Sequence, residues 1–293
     1  MKPAITILFW LWVTVISAGA QTEAPNPLTL TLEPERITNG APCIFSVASS
    51  VKLKGMAATW QERRIFFDFD SRTRKWMGLA GVNIDTVAGY YPLALVATLA
   101  DGTLLNSTYD VPVYQLRYPT DELEVAREFT SPSKATQKRI KAEQALKSRY
   151  FKIVTPQRLW RGAFTPPLNS VITDFFGIQR MFNGERQSVH QGLDFRAATG
   201  TPIAAMNSGV VLLARNFFYE GGMVVVDHGY GLLTLYLHLS ALRVREGEAI
   251  QRGQVVGLSG ATGRVTSEHL HVGVRWQGTY IDPAKLFQLS LPQ

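Results

Sequence analysis

The sequence predicts a mostly β protein in which a helix joins two β domains. Three observations predict this fold class: short strand-like runs before residue 118, a charged helical segment after it, and glycine-rich apolar runs from residue 157. The 293 residues are enough for two domains, and a hydrophobic content of 46% supplies their cores. We expect a signal segment at 1–20, a small β-sandwich-like domain at 21–118, a helical linker at 119–156 and an antiparallel β-sheet domain at 157–293.

The N-terminus has the pattern of a secretory signal. Lys2 is followed by an apolar run from Ile5 to Ile16, and Ala18-Gly19-Ala20 fits a small-residue cleavage site. An uncleaved membrane anchor is the alternative, but this run is shorter than the roughly 20 residues that a spanning helix needs. We therefore expect an exported protein, in the periplasm or outside the cell, with no stable membrane span after the signal is cleaved.

Cysteine content and charge exclude several classes of protein. Cys43 is the only cysteine, so no intrachain disulfide can form, and its apolar neighbours predict a buried small side chain. The formal net charge of +7 favours contact with anionic polymers or membrane surfaces. The basic residues are scattered, and an exported protein is separated from nucleic acid, so we expect no nucleic-acid partner. Nothing in the sequence indicates an oligomeric state.

The N-terminal domain shows short strands separated by turns. The run Leu28–Leu32 alternates with a period of two residues, and Asp101-Gly102 between apolar runs is a strong hairpin signal. Further strand-like runs lie at 44–47, 64–69 and 91–97. Strands at this spacing predict a small β-sandwich. The segment contains no histidine and no catalytic constellation.

The linker is predicted to be a helix from Lys134 to Arg149, with Ser131 as its N-cap and Pro132 as its first residue. Its apolar stripe is thin, and Ile140 and Leu146 are the main members. A solvated linking helix is the favoured interpretation. A basic helix that binds a surface is the alternative.

The C-terminal domain returns to strands. Buried-strand runs lie at 209–214, 223–227 and 232–237, and a hairpin-like turn at 227–231 joins the last two. No long helical pattern interrupts them. The pattern predicts an antiparallel β domain, either open or barrel-like.

All five histidines lie between residues 190 and 271, and four of them belong to three candidate site segments. His190 and Asp194 are four residues apart, a spacing that places both on one face of a strand. His269 and His271 share a strand face, while Leu270, Val272 and Val274 pack the other. In the third segment Tyr236, His238 and Ser240 are predicted to share a site-facing side, opposite Leu235, Leu237 and Leu239. We assign no role to His228.

Together these segments predict a metal site formed by His190, Asp194 and one imidazole of the His269–His271 pair. Imidazole nitrogen and carboxylate oxygen are good zinc ligands, and three protein ligands leave the open position of a catalytic site. Iron held by two histidines and one carboxylate is the competing interpretation. The wider spacing between His190 and Asp194, and the two additional histidines, favour a hydrolytic zinc.

These motifs resemble the lysostaphin-like zinc endopeptidases of bacterial cell walls. The resemblance rests on His190-x-Gly192-x-Asp194, on residues 235–240, and on Gly257–Gly263 leading to His269-Leu270-His271. The same family pattern is also matched by Phe175-Phe176-Gly177, by residues 195–205 and by Tyr280-Ile281-Asp282-Pro283. The match covers about residues 160–288 and leaves the N-terminal domain uncovered.

The resemblance implies an antiparallel β-sheet peptidase domain with a groove across it. It implies one Zn²⁺ per chain with His190, Asp194 and His271 as ligands, and His238 and His269 as catalytic histidines. The implied function is hydrolysis of peptide bonds in peptidoglycan stems or cross-links during cell-wall remodelling. A non-catalytic wall-binding or amidase-activating module is the alternative. The N-terminal domain could cover the groove, bind a wall polymer or act as a spacer, and we expect deletion of 21–118 to change the activity in the first two cases.

Overall fold

The structure is a computed structural model, which describes residues 26–122, 133–182 and 185–292. The expected signal segment at 1–20 lies outside the described residues. Within them the chain is mostly β, which confirms the predicted fold class. No helix in these ranges is long and apolar enough to cross a membrane.

Eight strands form the N-terminal β domain. They are β1 (Leu28–Glu33), β2 (Ile37–Thr38), β3 (Pro42–Ser49), β4 (Leu53–Trp60), β5 (Arg63–Asp70), β6 (Lys75–Gly81), β7 (Gly89–Leu99) and β8 (Leu104–Tyr114). They are hydrogen-bonded in the order β1-β3-β6-β5-β4-β7-β8-β2, and only the β2–β8 pair is parallel. The predicted hairpin at Asp101-Gly102 is confirmed, because the chain turns there between β7 and β8.

Strand β5 bends this path into two facing halves. Its residues 63–66 pair with β4, and its residues 67–70 pair with β6. Phe45 of β3 meets Trp60 of β4 edge to face across the core, with ring centroids 5.0 Å apart. Cys43 is fully buried in this core, and burial raises the pKa of its thiol. It therefore has the inert, apolar role predicted from its neighbours.

The C-terminal domain is built on a larger antiparallel sheet. After β9 (Thr120–Glu122) come β10 (Ile172–Asp174), β11 (Gln179–Phe182), β12 (Glu185–Val189), β13 (Leu193–Phe195), β14 (Pro202–Ala204), β15 (Gly209–Phe217), β16 (Gly221–Asp227), β17 (Leu232–Leu239), β18 (Ala241–Leu242), β19 (Ala249–Ile250), β20 (Val255–Leu258), β21 (Leu270–Trp276) and β22 (Thr279–Ile281). The main sheet has the order β10-β13-β21-β17-β16-β15-β19, with β22 beside β21. Two three-stranded sheets, β12-β11-β9 and β14-β20-β18, flank it.

The two faces of the main sheet bury different clusters. On β21 the side chains of Leu270, Val272 and Val274 enter the main core, as the alternation predicts. The opposite face, which His271 shares, carries a smaller cluster. Its buried members are Leu213, Phe217, Met223, Val225, Leu233 and Leu235.

The linking segment contains helix α1 (Lys134–Tyr150), which is exposed over most of its surface and packs one face against the main sheet. Ile140 is buried, and Leu146 and Tyr150 pack against the smaller cluster of the main sheet. The apolar stripe is the predicted one, and the rest of the helix surface is largely exposed. Ser131 and Pro132, the expected first residues, lie outside the described residues, and the N-cap is Ser133, whose side chain accepts from the Thr136 N–H.

The two β domains share one continuous hydrophobic core. Gly81 of β6 lies so close to Ile281 of β22 that a Cβ at Gly81 would be 2.6 Å from the Ile281 Cγ2. Phe66 stacks on Tyr230, with ring centroids 4.7 Å apart. A second short helix, α2 (Pro283–Leu286), follows β22 and is capped by Asp282.

The chain leaves the N-terminal domain along the C-terminal one. Tyr118 packs edge to face on Phe176 at 6.0 Å between ring centroids, and β9 pairs in parallel with β11. The domain boundaries at residues 118 and 156 stay predictions. Strand β9, which follows residue 118, pairs within a sheet of the C-terminal half.

Candidate metal centre and active site

Two paired strands bring the three expected ligands together. Asp194 of β13 lies directly opposite His271 of β21 in the antiparallel register. His190 stands just after β12, on the approach to β13. The ligand-type atoms of the three residues lie within 4.8 Å of one another.

The donor atoms converge as a site for one metal ion requires. The Asp194 Oδ1 is 3.1 Å from the His190 Nε2 and 2.8 Å from the His271 Nδ1, and the two nitrogens are 3.1 Å apart. A tetrahedral zinc ion with ordinary bond lengths separates its ligand atoms by about 3.3 Å. The spacing and the donor types therefore fit one small cation bound by two nitrogens and one oxygen.

Residues outside the predicted set orient His190. Its Nδ1 donates to the Phe175 carbonyl oxygen at 2.8 Å, which leaves the Nε2 lone pair directed at the cluster. The Asp174 Oδ2 lies 3.5 Å from the same Nδ1, and Arg180 binds Asp174 at 3.1 Å. Asp174 is not among the residues predicted from the sequence, although it immediately precedes the Phe175-Phe176-Gly177 motif.

The electrostatics of the cluster follow from burial opposed by mutual contacts. Burial by itself would raise the pKa of Asp194, but hydrogen bonds from His190 and His271 hold it well below its usual range. Burial lowers the pKa of His271, whereas the hydrogen bond and charge of Asp194 outweigh burial and raise the pKa of His190. An ionised carboxylate and neutral imidazoles are the forms that bind a metal ion.

A β-bulge in β17 turns His238 toward the cluster. Between the pairs Val224–Tyr236 and Gly222–Leu239, two residues of β17 oppose one residue of β16. His238 adopts a left-handed backbone with φ of 63° at this point. Its ring centroid lies 4.9 Å from that of His269 and 6.2 Å from that of His271.

The bulge overturns the predicted polar face of Tyr236, His238 and Ser240. Tyr236 is fully buried in the main core, and its hydroxyl accepts from the Met206 N–H at 2.7 Å. The Ser240 hydroxyl donates to the Ser259 carbonyl at 2.7 Å. Only His238 of the three faces the cluster, because the extra residue breaks the period of two.

His238 and His269 are oriented in the same way. The His238 Nδ1 donates to the Thr262 carbonyl and the His269 Nδ1 to the Ser267 carbonyl, both at 2.9 Å. In each neutral ring this leaves Nε2 able to accept a proton. The His269 Nε2 lies 3.8 Å from the Asp194 Oδ2. Burial lowers the pKa of His238 to about 3, and the hydrogen bond to Thr262 offsets this only in part.

His228 lies away from this site. It is fully buried, with Nδ1 2.7 Å from the Ser208 carbonyl oxygen and Nε2 2.8 Å from the Thr234 hydroxyl. The Thr234 hydroxyl in turn lies 3.2 Å from that of Tyr236. These contacts form a chain of buried hydrogen bonds in the core.

An antiparallel sheet with a His–Asp–His cluster and two further imidazoles on one face has the architecture of a single-metal hydrolase. Residues 188–283 match the model of peptidase family M23. The resemblance to the lysostaphin-like peptidases, drawn from the motifs, is thereby confirmed.

Similar proteins are found among bacterial cell-wall enzymes. The peptidoglycan DD-endopeptidase ShyA of Vibrio cholerae serotype O1 is 44% identical over 101 residues, which are 34% of this chain and 24% of that protein. The DD-carboxypeptidase/endopeptidase Mpg of Neisseria meningitidis serogroup B is 38% identical over 98 residues, 33% of this chain and 23% of its own length. The chain thus spans about a quarter of the length of these curated relatives.

The likeness to one solved structure extends beyond the peptidase domain. A Pseudomonas aeruginosa protein described as an M23 peptidase superposes with a TM-score of 0.63 at 25% identity. The superposition covers 86% of this chain and 95% of that one. The arrangement of an N-terminal β domain on an M23 domain is therefore shared with that protein.

Proposed function

We propose that the protein is a zinc endopeptidase that hydrolyses peptide bonds in peptidoglycan stems or cross-links. The observation that carries the proposal is the pair of oriented imidazoles, His238 and His269, beside the His190–Asp194–His271 cluster. A structural metal site needs no such pair, whereas proton transfer during hydrolysis does.

His190, Asp194 and His271 would hold the zinc ion, with two imidazole nitrogens and one carboxylate oxygen. When bound, zinc supplies a water of lowered pKa and polarises the scissile carbonyl. Asp174 and the Phe175 carbonyl fix the ring of His190 through its Nδ1. Such outer contacts hold a ligand in the orientation that metal binding needs.

His238 and His269 are the proposed catalytic residues. Each holds its Nδ1 proton against a backbone carbonyl, so Nε2 can accept a proton from the attacking water and return it to the leaving amine. The same Nε2, once protonated, can donate to the developing oxyanion. Burial lowers the pKa of His238, so this ring is neutral at physiological pH.

The substrate and the compartment are inferred from the relatives and from charge. ShyA and Mpg are named as peptidoglycan or DD-peptide hydrolases, and the net charge of +7 favours an anionic wall polymer. We propose that the protein is exported to the periplasm or cell wall, and that the peptides of peptidoglycan are its substrate.

The test is incubation of the protein with purified sacculi, followed by mass spectrometry of the released fragments. We expect new peptide termini that disappear with a chelator and return on addition of zinc. His190→Ala should lose both metal and activity, whereas His238→Ala should retain zinc and lose activity. Full activity in the presence of chelator would contradict the proposal.

The non-catalytic alternative gives a different result. A wall-binding or amidase-activating module would bind sacculi without releasing peptides, and its effect would not depend on His238. Metal analysis of the purified protein adds a second measurement, because zinc near one ion per chain is expected for the enzyme. Iron in its place would favour the competing two-histidine, one-carboxylate interpretation.

A further inference from the structure

Helix α1 turns two charged side chains toward the main sheet. Glu143 and Lys147 are four residues apart, a spacing at which they could pair with each other. Instead, the Glu143 Oε2 accepts the Phe218 N–H at 2.8 Å, and the Lys147 ammonium forms an ion pair with the Glu220 carboxylate. Both charges therefore bind the tight turn between β15 and β16.

That turn holds the backbone of His238. The Glu220 carbonyl accepts the His238 N–H at 2.9 Å, within the bulge where His238 is left-handed. The same turn is joined to the segment that orients the His238 ring: the Gly222 N–H donates to the Thr262 Oγ1 at 2.9 Å, and the Thr262 carbonyl accepts from the His238 Nδ1. The backbone and the ring of His238 thus depend on one small unit.

The turn and the segment around Thr262 are in close contact. A Cβ at Gly221 would lie 2.2 Å from the Thr262 Oγ1, and one at Gly263 would lie 2.3 Å from the Gly221 nitrogen. The Arg264 N–H also donates to the Tyr219 carbonyl at 2.8 Å. Because these atoms are already in close contact, a displacement of the turn would also displace Thr262 and His238.

We propose that helix α1 acts as a brace for the active site, with Glu143 and Lys147 as positioning residues for His238. The inference rests on the proposed peptidase function. The helix lies outside the segment that matches the M23 family, so the role belongs to this chain's own linker. Lys147 and Glu220 are 14% and 20% exposed, and one Glu220 oxygen is buried without another partner. Loss of Lys147 would therefore favour movement of the turn toward water.

The first test compares Lys147→Met with Lys141→Met. Lys141 is exposed on the same helix, so its substitution removes the same charge without touching the turn. We expect kcat of Lys147→Met on sacculus peptides to fall by about tenfold or more, because small displacements of a catalytic group are costly. KM and the zinc content should stay as in the wild type, and Lys147→Arg should recover most of kcat.

A second measurement does not need activity. Ring nitrogen NMR of His238 should shift in Lys147→Met and stay unchanged in Lys141→Met. The double variant Lys147→Met/Glu220→Gln should lie closer to the wild type than Lys147→Met alone, because no unpaired carboxylate is left.

The two proposals fail in different ways. If the wild-type protein released no peptides from sacculi in a chelator-sensitive way, the peptidase function would be overturned. The NMR comparison would still test whether helix α1 positions His238. An active wild type with unchanged kcat and unchanged His238 resonances in Lys147→Met would overturn the brace alone.

Discussion

Two buried histidines of this protein show how local contacts determine what an imidazole does. His238 is 8% exposed and faces the His190–Asp194–His271 cluster, while His228 is fully buried in the core. In His228 the Nδ1 donates to the Ser208 carbonyl, and Nε2 can accept from Thr234, so every ring nitrogen of the neutral form is satisfied. Protonation of that ring would place a charge in the core with no carboxylate partner.

The stability of the protein should therefore fall in mild acid through His228. Burial lowers the pKa of His228 to about 4 in the folded state, against about 6.5 in an unfolded chain. As the pH falls from about 6.5 to about 4, only the unfolded chain takes up this proton, so the free energy of unfolding decreases. The full effect is about 3 kcal/mol and is absent above pH 6.5.

The measurement is urea unfolding of the wild type and of His228→Gln between pH 4 and pH 7. The glutamine variant should start less stable and lose less stability with acid than the wild type. Equal pH slopes of the two proteins would contradict the assignment of this proton to His228.

At the scale of elements, the strands and their faces could be predicted from the sequence, but the bulge could not. Alternation correctly places Leu270, Val272 and Val274 in the core and His271 on the other face. The same rule fails at His238, because the extra residue in β17 is set by its pairing with the preceding strand β16, and the alternation within β17 does not report this pairing. The packing of helix α1 could not be predicted either, because its charged side chains contact the turn between β15 and β16.

Gly192 illustrates a constraint that strand pairing places on the site. A Cβ at Gly192 would lie 2.2 Å from the Val272 carbonyl oxygen and 2.7 Å from the His271 Nε2. We expect Gly192→Ala to displace His271 and to weaken zinc binding by about tenfold or more, measured by competition with a chelator. Overpacking of this kind should also cost about 1–3 kcal/mol of stability.

Gly273→Ala is the matched control on β21. Its added Cβ would meet only ordinary contacts, with the Gln191 carbonyl oxygen at 3.4 Å as the nearest atom. It should keep the zinc affinity of the wild type. If both variants bind zinc equally well, the close approach at Gly192 is not what positions His271.

At the scale of the whole molecule, the continuous core implies that the two β domains unfold together. Composition divides the chain into two β domains, but no local pattern indicates that Gly81 meets Ile281 or that Phe66 stacks on Tyr230. The alternation of apolar and polar residues within a strand does not indicate which distant segment that strand will contact. The candidate metal site shows the same limit. The spacing of His190 and Asp194 indicates that they lie together, but no sequence pattern indicates that Asp174 contacts His190.

Gly81→Ala tests this coupling. The new methyl group would meet the Ile281 Cγ2 at 2.6 Å, so we expect a loss of about 1–3 kcal/mol. Hydrogen exchange should accelerate to the same extent in β3 and in β16, one from each domain. Gly55→Ala, where a Cβ meets nothing within 4 Å, should leave both unchanged. Faster exchange in β3 alone would show that the domains unfold independently.

The position of Tyr118 determines where the C-terminal domain could be joined to another protein. Tyr118 lies on Phe176, the neighbour of the residue whose carbonyl orients His190, and β9 extends the hairpin that leads to His190. The smallest portable unit therefore begins at Tyr118 and includes the brace helix, well before the family segment starts at residue 188. A chimera joined at residue 157 would contain the three candidate ligands and the two proposed catalytic histidines. It would lack Tyr118, β9 and helix α1, which contact the segments that position them.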